Sequence, residues 1–421
     1  MIKRTIILVI IVSGITLSQN TLDYYLNKGI ENAPSLSEYK NLQQINSLQN
    51  ELNSAENSAF NVFLTADYLF APYFNNNGKL ISTNPDPKAY GYDVGITNGG
   101  LYSALLNVEK NIFNGGELNA YQNQNKIQSE QYSYNYNLEK HNLEKQITDQ
   151  YLTTYKSFML LNLSKDIVSN LSEQLKITAE MVENGYEKAQ NYLLLKISLQ
   201  NEQLSFNESY QNYKNDLAQL NSICGIKDTN AVELSEVELE LSPSKSVSDF
   251  YKKYELDSLA VINQQTVFET KYLPQLKLFA NTGLNAVEID GIQRKVGMSA
   301  GLSFSLPIFD GGQKSLTRQQ NQISQKTISD YKKYFAVNLE IMVENILFRI
   351  NSLRKNLDDQ RYQITEYEKL MDISKKELQN GDISMIEYLT LLKNFIDLRK
   401  NKIEKQIEYQ MEINNYNYWN W

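Results

Sequence analysis

Apolar and polar residues alternate along this chain with two different periods, and each period occurs in two places. In residues 296–309 apolar side chains stand at every second position, which is typical of a β-strand with one apolar face. In residues 313–380 apolar side chains recur in alternating steps of four and three, the heptad pattern of helices that pack as coiled coils. The change of period falls at one short sequence, PIFDGG, at residues 307–312. The pattern predicts a strand that leads into a very long helix.

This strand-to-helix corner is written twice. The first copy is NIFNGG at residues 111–116, and it precedes PIFDGG by 196 residues. A second landmark, Asn-Gly, occurs at residues 184–185 and again at 380–381, with the same offset of 196 residues. Two landmarks in one register indicate an internal duplication. We expect the corners to be formed by Phe113, Asn114, Gly115, Gly116, Pro307, Phe309, Asp310, Gly311 and Gly312.

Between the two landmarks each copy holds 68 residues without proline or glycine, 117–184 and 313–380. As straight α-helices these segments would be roughly 100 Å long. A second helix of about 39 residues is expected after each Asn-Gly, and the short connection makes the two helices antiparallel neighbours. Since glycine fits the left-handed cap that ends many helices, we place the tips of two helical hairpins at Gly185 and Gly381.

Each copy also has an earlier strand pattern that can pair with the strand before the corner. These partner strands are predicted at 60–70 and 275–283, with connecting loops at 73–98 and 284–295. The apolar faces would hold Tyr102, Ala104, Leu106, Val108 and Ile112 in the first copy, and Met298, Ala300, Leu302, Phe304, Leu306 and Ile308 in the second. The opposite, polar faces would hold Ser103, Asn107, Glu109 and Asn111, and Ser299, Gly301, Ser303 and Ser305.

The order of elements gives two structural repeats. Each would read helix, two strands joined by a loop, long helix, tip and returning helix, with the first repeat at residues 19–226 and the second at 227–421. The expected fold class is mainly α with a small β part: long antiparallel coiled-coil hairpins plus four amphipathic strands per chain.

The strands raise the question of a membrane. At about 10–11 residues they are long enough to cross a bilayer when tilted. A soluble sheet with one face on a core is the alternative, but no amphipathic helix remains to cover the apolar faces, because the long helices use heptad seams. Four strands cannot close a barrel, and lipid does not tolerate open edges. The membrane interpretation therefore requires several chains to share one transmembrane β-barrel.

The N-terminus supports export. Lys3 and Arg4 precede an apolar run from Ile6 to Ile15, and small residues at Thr16 and Ser18 fit a cleavage site, so we expect a signal peptide at residues 1–18. Loss of its two cations takes the formal charge from −8 to −10. An acidic chain argues against nucleic acid as a partner, because phosphates are neutralised by clustered cations.

The residues that carry most enzyme chemistry are scarce. His141 is the single histidine and is expected at the surface, and Cys224, the single cysteine, is expected to be a small apolar residue near a helix end. No nucleophile–base pattern and no phosphate-binding glycine loop is present. One histidine and one cysteine do not make a metal site. We therefore expect no enzyme activity, no cofactor and no bound metal.

With these features in place, the sequence resembles the TolC family of outer-membrane efflux proteins. The resemblance rests on the paired corners, on YLPQLKLFANTGL at residues 272–284, and on the tip segments MVENGYEKAQNYLLLK (181–196) and ELQNGDISMIEYLTLLK (377–393). It covers nearly the whole chain after the signal peptide. It implies a homotrimer with four strands per chain in one barrel in outer-membrane lipid, and a helical tunnel in the periplasm. It also implies docking to a periplasmic adaptor protein and an inner-membrane transporter.

The resemblance also implies roles for residues near the tips. Adaptor docking would involve Asn184, Gly185, Asn380, Gly381, Asp382 and Ser384. The second tip keeps Gly381-x-x-Ser384, whereas the first has Lys188 in place of the serine. A pore entrance would be lined by Glu387, with Thr390 at the position where the family has a second acidic residue. Glu387 can equally be a solvated helix residue.

Two functions fit this pattern. The first is the exit duct of a tripartite efflux or type I secretion system, which conducts substrates passively. The second is an exported structural or adhesive coiled-coil protein without channel activity, whose helices would show the same heptads. The duct alone accounts for two pairs of amphipathic strands at matched places in a duplication. The transported substrate is not encoded in these patterns.

Overall fold

A computed structural model describes residues 21–82, 88, 90–92, 100–228, 230–286, 289 and 291–421. The predicted signal peptide, residues 1–18, lies outside these residues, as do parts of the two predicted loops. The described helices are α1 (Leu22–Asn32), α2 (Pro34–Ser58), α3 (Glu117–Glu183), α4 (Ala189–Ile223), α5 (Lys252–Thr270), α6 (Gln313–Asn380) and α7 (Met385–Trp419). The strands are β1 (Asn61–Phe70), β2 (Tyr73–Asn76), β3 (Lys79–Ser82), β4 (Gly100–Asn114), β5 (Gln275–Ala286) and β6 (Val296–Ser305).

The long helices are confirmed. The first, α3, has 67 residues and the second, α6, has 68, each beginning directly after its Gly-Gly corner. The returning helices α4 and α7 have 35 residues each, a turn shorter than the sequence predicts. Neither long helix is interrupted, because neither contains a proline that would remove a backbone donor or a glycine that would loosen the helix.

Four strands form one antiparallel sheet in the order β1-β4-β5-β6, and β2 with β3 forms a separate hairpin. Directly opposed residues share a face, and the register aligns Leu64 with Leu106, Leu106 with Thr282, and Leu278 with Leu302. The other face carries polar pairs, in which Ser103 donates to Asp67 at 3.2 Å, Asn107 to Thr65 at 2.9 Å and Ser299 to Asn281 at 2.9 Å. The predicted division into one apolar and one polar face is thus confirmed.

Two details of the strands differ from the prediction. The register between β4 and β5 shifts between Asn111 and Phe113, so Phe113 and not Ile112 stands opposite Leu276. A bulge of this kind breaks strict alternation, which is the only signal that the sequence offers for facing. The strand β6 ends at Ser305 and not at residue 309, because Ser305 pairs with Gln275, the first residue of β5, and no partner strand continues beyond it.

The chain forms two compact units, each built from both halves of the sequence. The first comprises residues up to Glu38, Asn135–Tyr251 and Lys333–Trp421, and the second comprises Tyr39–Tyr134 and Lys252–Lys332. The first unit contains the tips and the second contains the corners. Cores in the first unit are apolar heptad residues, including Leu171 and Leu195 on the first hairpin and Ile396 on the second.

An extended segment at residues 230–242 crosses the helices of the first unit and belongs to no described strand. Amide side chains of α7 satisfy its backbone. The Leu239 amide donates to Gln410 Oε1 at 2.7 Å, and Asn417 both accepts from the Ser242 amide at 2.8 Å and donates to the Glu240 carbonyl at 2.9 Å. These bonds replace a strand partner for a segment that would otherwise leave polar groups unpaired.

The expectation that His141 is a surface residue is wrong. Its ring is half-buried and stacks between Tyr418, at 4.8 Å, and Trp421, at 4.7 Å between ring centroids. Its Nε2 lies 2.9 Å from the Tyr418 carbonyl oxygen. Burial lowers the pKa of this imidazole, an effect partly opposed by the bond to Tyr418. Cys224, by contrast, is fully buried at the C-cap of α4, as predicted, and burial raises the pKa of its thiol to about 12.

Candidate functional site

The two hairpin tips have the same backbone conformation. Gly185 and Gly381 take φ of +78° and +81°, the left-handed region that glycine occupies without strain. Their amides donate to Val182 O at 3.0 Å and Leu378 O at 3.2 Å. The next amides, of Tyr186 and Asp382, reach back to Met181 O and Glu377 O, each at 2.8 Å. This pair of bonds is the Schellman motif, and it ends both long helices at the predicted residues.

The tips differ in how the returning helix begins. Ser384 caps α7, since its Oγ accepts from the Glu387 amide at 3.2 Å and its own amide donates to Glu387 Oε2 at 2.8 Å. This reciprocal pair is a capping box. At the first tip Lys188 stands at the N-cap without a side-chain cap. Glu187 takes over in part by accepting from the Lys188 amide at 2.7 Å.

Glu387 therefore has a local role that our interpretation of the sequence missed. The Ser384-Met-Ile-Glu387 spacing is itself a capping-box signal that could have revealed it. The backbone amide of Ser384, followed by its hydroxyl, lowers the pKa of this exposed carboxyl. Thr390 lies on the same exposed stretch of helix, with its hydroxyl donated to Ile386 O at 2.8 Å. Their position at a pore entrance stays a prediction.

The structure brings the two tips together within the first unit. Met181 and Glu187 of the first hairpin and Leu378 and Met385 of the second line one small cavity of about 30 Å³, the size of a single water. Farther from the tips, Gln174 donates to the Tyr388 hydroxyl at 2.7 Å and links α3 to α7. The predicted docking residues therefore form one region and not two separate loops.

The corners have matched backbone conformations as well. Gly115 and Gly116 take φ of +65° and +80°, and Gly311 and Gly312 take +67° and +87°. Two successive left-handed residues turn the chain from strand to helix at a position where side chains would be strained. At Gly115 space is also limiting, since a Cβ atom would lie 2.5 Å from Leu273 Cβ, whereas nothing lies within 4 Å at Gly311.

The residues before the glycines do different work in the two copies. Asp310 accepts from the amides of Gly312 and Lys314, both at 2.8 Å, and so caps the first turn of α6. A hydrogen bond from the Tyr272 hydroxyl, followed by these amides, lowers the pKa of Asp310. In the first copy Asn114 instead donates to Asn57 on α2 at 2.7 Å.

The expectation that Asn111, in place of proline, makes the first corner less sharp is wrong. The strand β4 runs to Asn114 and α3 begins at Glu117, so the first corner occupies two residues. In the second copy the sheet has already ended at Ser305, and Pro307 and Phe309 lie in the segment before α6. Phe309 is 89% exposed.

A turn between α5 and β5 contacts both corners and was not singled out from the sequence. Leu273 packs against Gly115, and Tyr272 binds Asp310. One helical turn earlier, Glu269 forms a two-pronged ion pair with Arg318 of α6, at 2.7 and 3.0 Å. The guanidinium of Arg318 lowers the pKa of Glu269 to about 2. The signal was present in the YLPQ sequence at residues 272–275, which precedes a predicted strand.

Within the described residues no group of His, Cys, Asp or Glu is arranged to hold a metal ion. No helix in the described part of the chain is both long enough and apolar enough to span a membrane.

Comparison with solved structures identifies the fold. The outer membrane protein VceC of Vibrio cholerae aligns with a TM-score of 0.71 at 12% identity, over 95% of this chain and 96% of that one. The CmeC outer membrane channel of Campylobacter jejuni aligns with a TM-score of 0.68 at 16% identity, over 95% and 85%. The MtrE outer membrane channel of Neisseria gonorrhoeae, in its open state, aligns with a TM-score of 0.67 at 12% identity, over 95% and 88%.

This chain has the fold of these outer-membrane proteins. The alignments cover almost the whole of both chains, so the likeness includes hairpins, corners and strands together. Two of the three similar structures are named as channels, and none is named as an enzyme. A scan against protein-family models and a search of curated proteins find no match.

Proposed function

We propose that this chain is an outer-membrane exit duct, which passively conducts substrates delivered by an inner-membrane transporter through the periplasm and the outer membrane. The observation that carries the proposal is the sheet at the corners. One face is apolar on all four strands, and its large side chains are exposed, with Leu64 73%, Leu302 65% and Phe304 66% accessible. Exposed apolar surface of this extent needs lipid or a partner to cover it.

The same sheet supports a homotrimer. Its outer strands, β1 and β6, each have one neighbour among the described strands and so present open edges. Lipid does not tolerate open edges, and four strands are too few to close a barrel alone. Three copies joined edge to edge would give twelve strands in one closed barrel, with the apolar faces toward lipid.

Lys110 also fits this arrangement. It stands on the apolar face opposite Leu278, near the corner end of β4, and its ammonium lies 4.6 Å from the centre of the Phe60 ring. A lysine at the end of a lipid-facing strand can extend its charge to the aqueous boundary, while its alkyl chain stays in apolar surroundings. We place the corners at the periplasmic boundary of the membrane on this ground.

The tips are then the periplasmic docking end for an adaptor protein. We assign this role to Asn184, Gly185, Asn380, Gly381, Asp382 and Ser384, and the pore entrance to Glu387 and Thr390. Exposure of both Schellman turns, and their assembly into one region, support the assignment. We further propose that residues 1–18 are removed on export and that 19–226 and 227–421 are duplicated repeats. In support, α3 and α6, like α4 and α7, begin 196 residues apart.

Extraction and mass measurement test this function. We expect the protein to sediment with outer membranes, to require detergent for release, and to give a mass of three chains by native mass spectrometry. A chain that is released by salt washes without detergent would instead be the exported coiled-coil protein. A monomer that remains in membranes would refute the shared barrel.

A further inference from the structure

A cavity of about 200 Å³ lies between the two helical hairpins of the first unit. It is distinct from the smaller cavity at the tips, and neither the duct nor the docking role requires it. Its walls are largely apolar and come from both hairpins: Leu163, Ile167 and Leu171 on α3, and Leu392, Phe395 and Ile396 on α7. Its volume exceeds the ~150 Å³ apolar cavity that is known to hold benzene, so a single-ring molecule fits.

One polar group in the wall is only half satisfied. Gln174 Nε2 donates to the Tyr388 hydroxyl at 2.7 Å, while Gln174 Oε1 is buried and has no hydrogen-bond partner among the described residues. Turning the amide around would pair Oε1 with the Tyr388 hydroxyl and leave the amide nitrogen unpaired instead. Because both residues line the cavity, one polar end of this pair faces it in either orientation.

The charges at the rim favour a neutral ligand. Glu173 and Asp372 supply two negative charges, and Lys375 and Arg399 supply two positive ones. Opposite charges in equal number give an ion of either sign no net attraction. The Phe395 ring forms part of the wall and is itself fixed by stacking on Tyr367, with ring planes 17° apart. A fixed aromatic wall suits a flat aromatic partner, because ring pairs gain energy beyond their buried area.

We propose that this cavity binds a small neutral aromatic molecule with one hydroxyl group, of the size of phenol. The ring would occupy the apolar space between α3 and α7. A hydroxyl can both donate and accept, so it would satisfy Gln174 in whichever orientation the amide adopts. The ligand would contact both hairpins and stabilise their packing against each other. The inference does not depend on the duct function.

Ligand-observed NMR titration of the purified full-length protein in detergent tests the proposal, with phenol and toluene as probes. Wild type should bind phenol saturably. Gln174→Met keeps the length of the side chain but removes its polar end, and should weaken phenol binding about five- to tenfold. Toluene binding should be unchanged in that variant within about twofold, because toluene makes no hydrogen bond. Gln363→Met, on the exposed side of α6, is the matched control and should bind phenol as wild type does.

Two filling variants, Leu171→Phe on α3 and Ile396→Phe on α7, should abolish binding of both probes. Because the two substitutions come from opposite walls, either one suffices if the other disturbs folding, which circular dichroism would reveal. Three results would overturn the proposal: no saturable phenol signal in wild type, equal phenol affinity in Gln174→Met, or phenol binding that survives filling. The first would mean that the cavity holds water only.

Discussion

At the scale of single residues, the corners are defined by glycines whose roles are distinct although their backbones match. Gly115 and Gly311 have φ within 2° of each other and are 196 residues apart, yet only Gly115 faces a close neighbour. Sequence repetition identifies both positions. The close approach of Leu273 depends on tertiary packing and leaves no local signal.

We predict that Gly115→Ala destabilises the protein more than Gly311→Ala. Both substitutions place a side chain in the left-handed region, at a cost of ~1–2 kcal/mol. The first adds a contact of 2.5 Å with Leu273, which has to shift. Chemical denaturation of both variants measures the difference. Equal losses would show that the α5–β5 turn yields without cost.

The Glu269–Arg318 pair gives a pH-dependent prediction. The folded pKa of Glu269, about 2, lies below its ordinary value of 4.5, so the pair contributes stability above pH 4.5 and loses it as the pH falls toward 2. Arg318→Met should cost about 1 kcal/mol at pH 7, because the pair is partly exposed. The loss should vanish near pH 2. Lys253→Met, which breaks the exposed pair with Asp257, is the control and should cost less at every pH. A pH-independent loss in Arg318→Met would contradict the ion-pair account.

Glu387 permits its capping role and its proposed pore role to be separated. Glutamine also fits a capping box, so Glu387→Gln should change stability little, whereas Ser384→Ala should cost ~1 kcal/mol. The pKa of Glu387 lies below 4.5, so its charge is present at neutral pH, and its loss should reduce cation preference in single-channel recordings. Unchanged selectivity in Glu387→Gln would leave this residue as a helix cap alone.

At the scale of elements, the sequence predicts what depends on local period. Heptads predict the long helices, alternation predicts the strand faces, and Asn-Gly predicts both tips. Strand ends are less accessible, because β6 ends where its partner β5 begins, which depends on pairing between distant segments. The bulge near Asn111 and the burial of His141 against the end of α7 depend on the same kind of distant contact.

The strand faces give a matched pair of variants. Leu302→Arg places a cation on the proposed lipid face and should impair assembly, at a cost of ~2–4 kcal/mol near the membrane midplane. Ser303→Arg lies on the opposite face of the same strand and should assemble normally while altering conductance. The yield of oligomer in native gels compares the two. Equal tolerance of both substitutions would contradict the facing assigned to β6.

At the scale of the whole molecule, both hairpins and all four strands of the sheet serve one proposed path. The sheet leaves an apolar face and two open edges, the corners turn the chain without interruption into helices of 67 and 68 residues, and the tips close in one region. None of these features is explained by a coiled coil that functions alone. Together they require other copies of the chain and a lipid phase.

Conductance across a planar lipid bilayer tests the central claim most directly. Purified wild-type protein, added from detergent, should insert and produce discrete, uniform current steps that reflect one water-filled path shared by several chains. Ser303→Arg should insert and change the step size, which ties the current to this sheet. Protein that binds the bilayer and produces no steps, or steps unaffected by Ser303→Arg, would contradict the account of this chain as an outer-membrane duct.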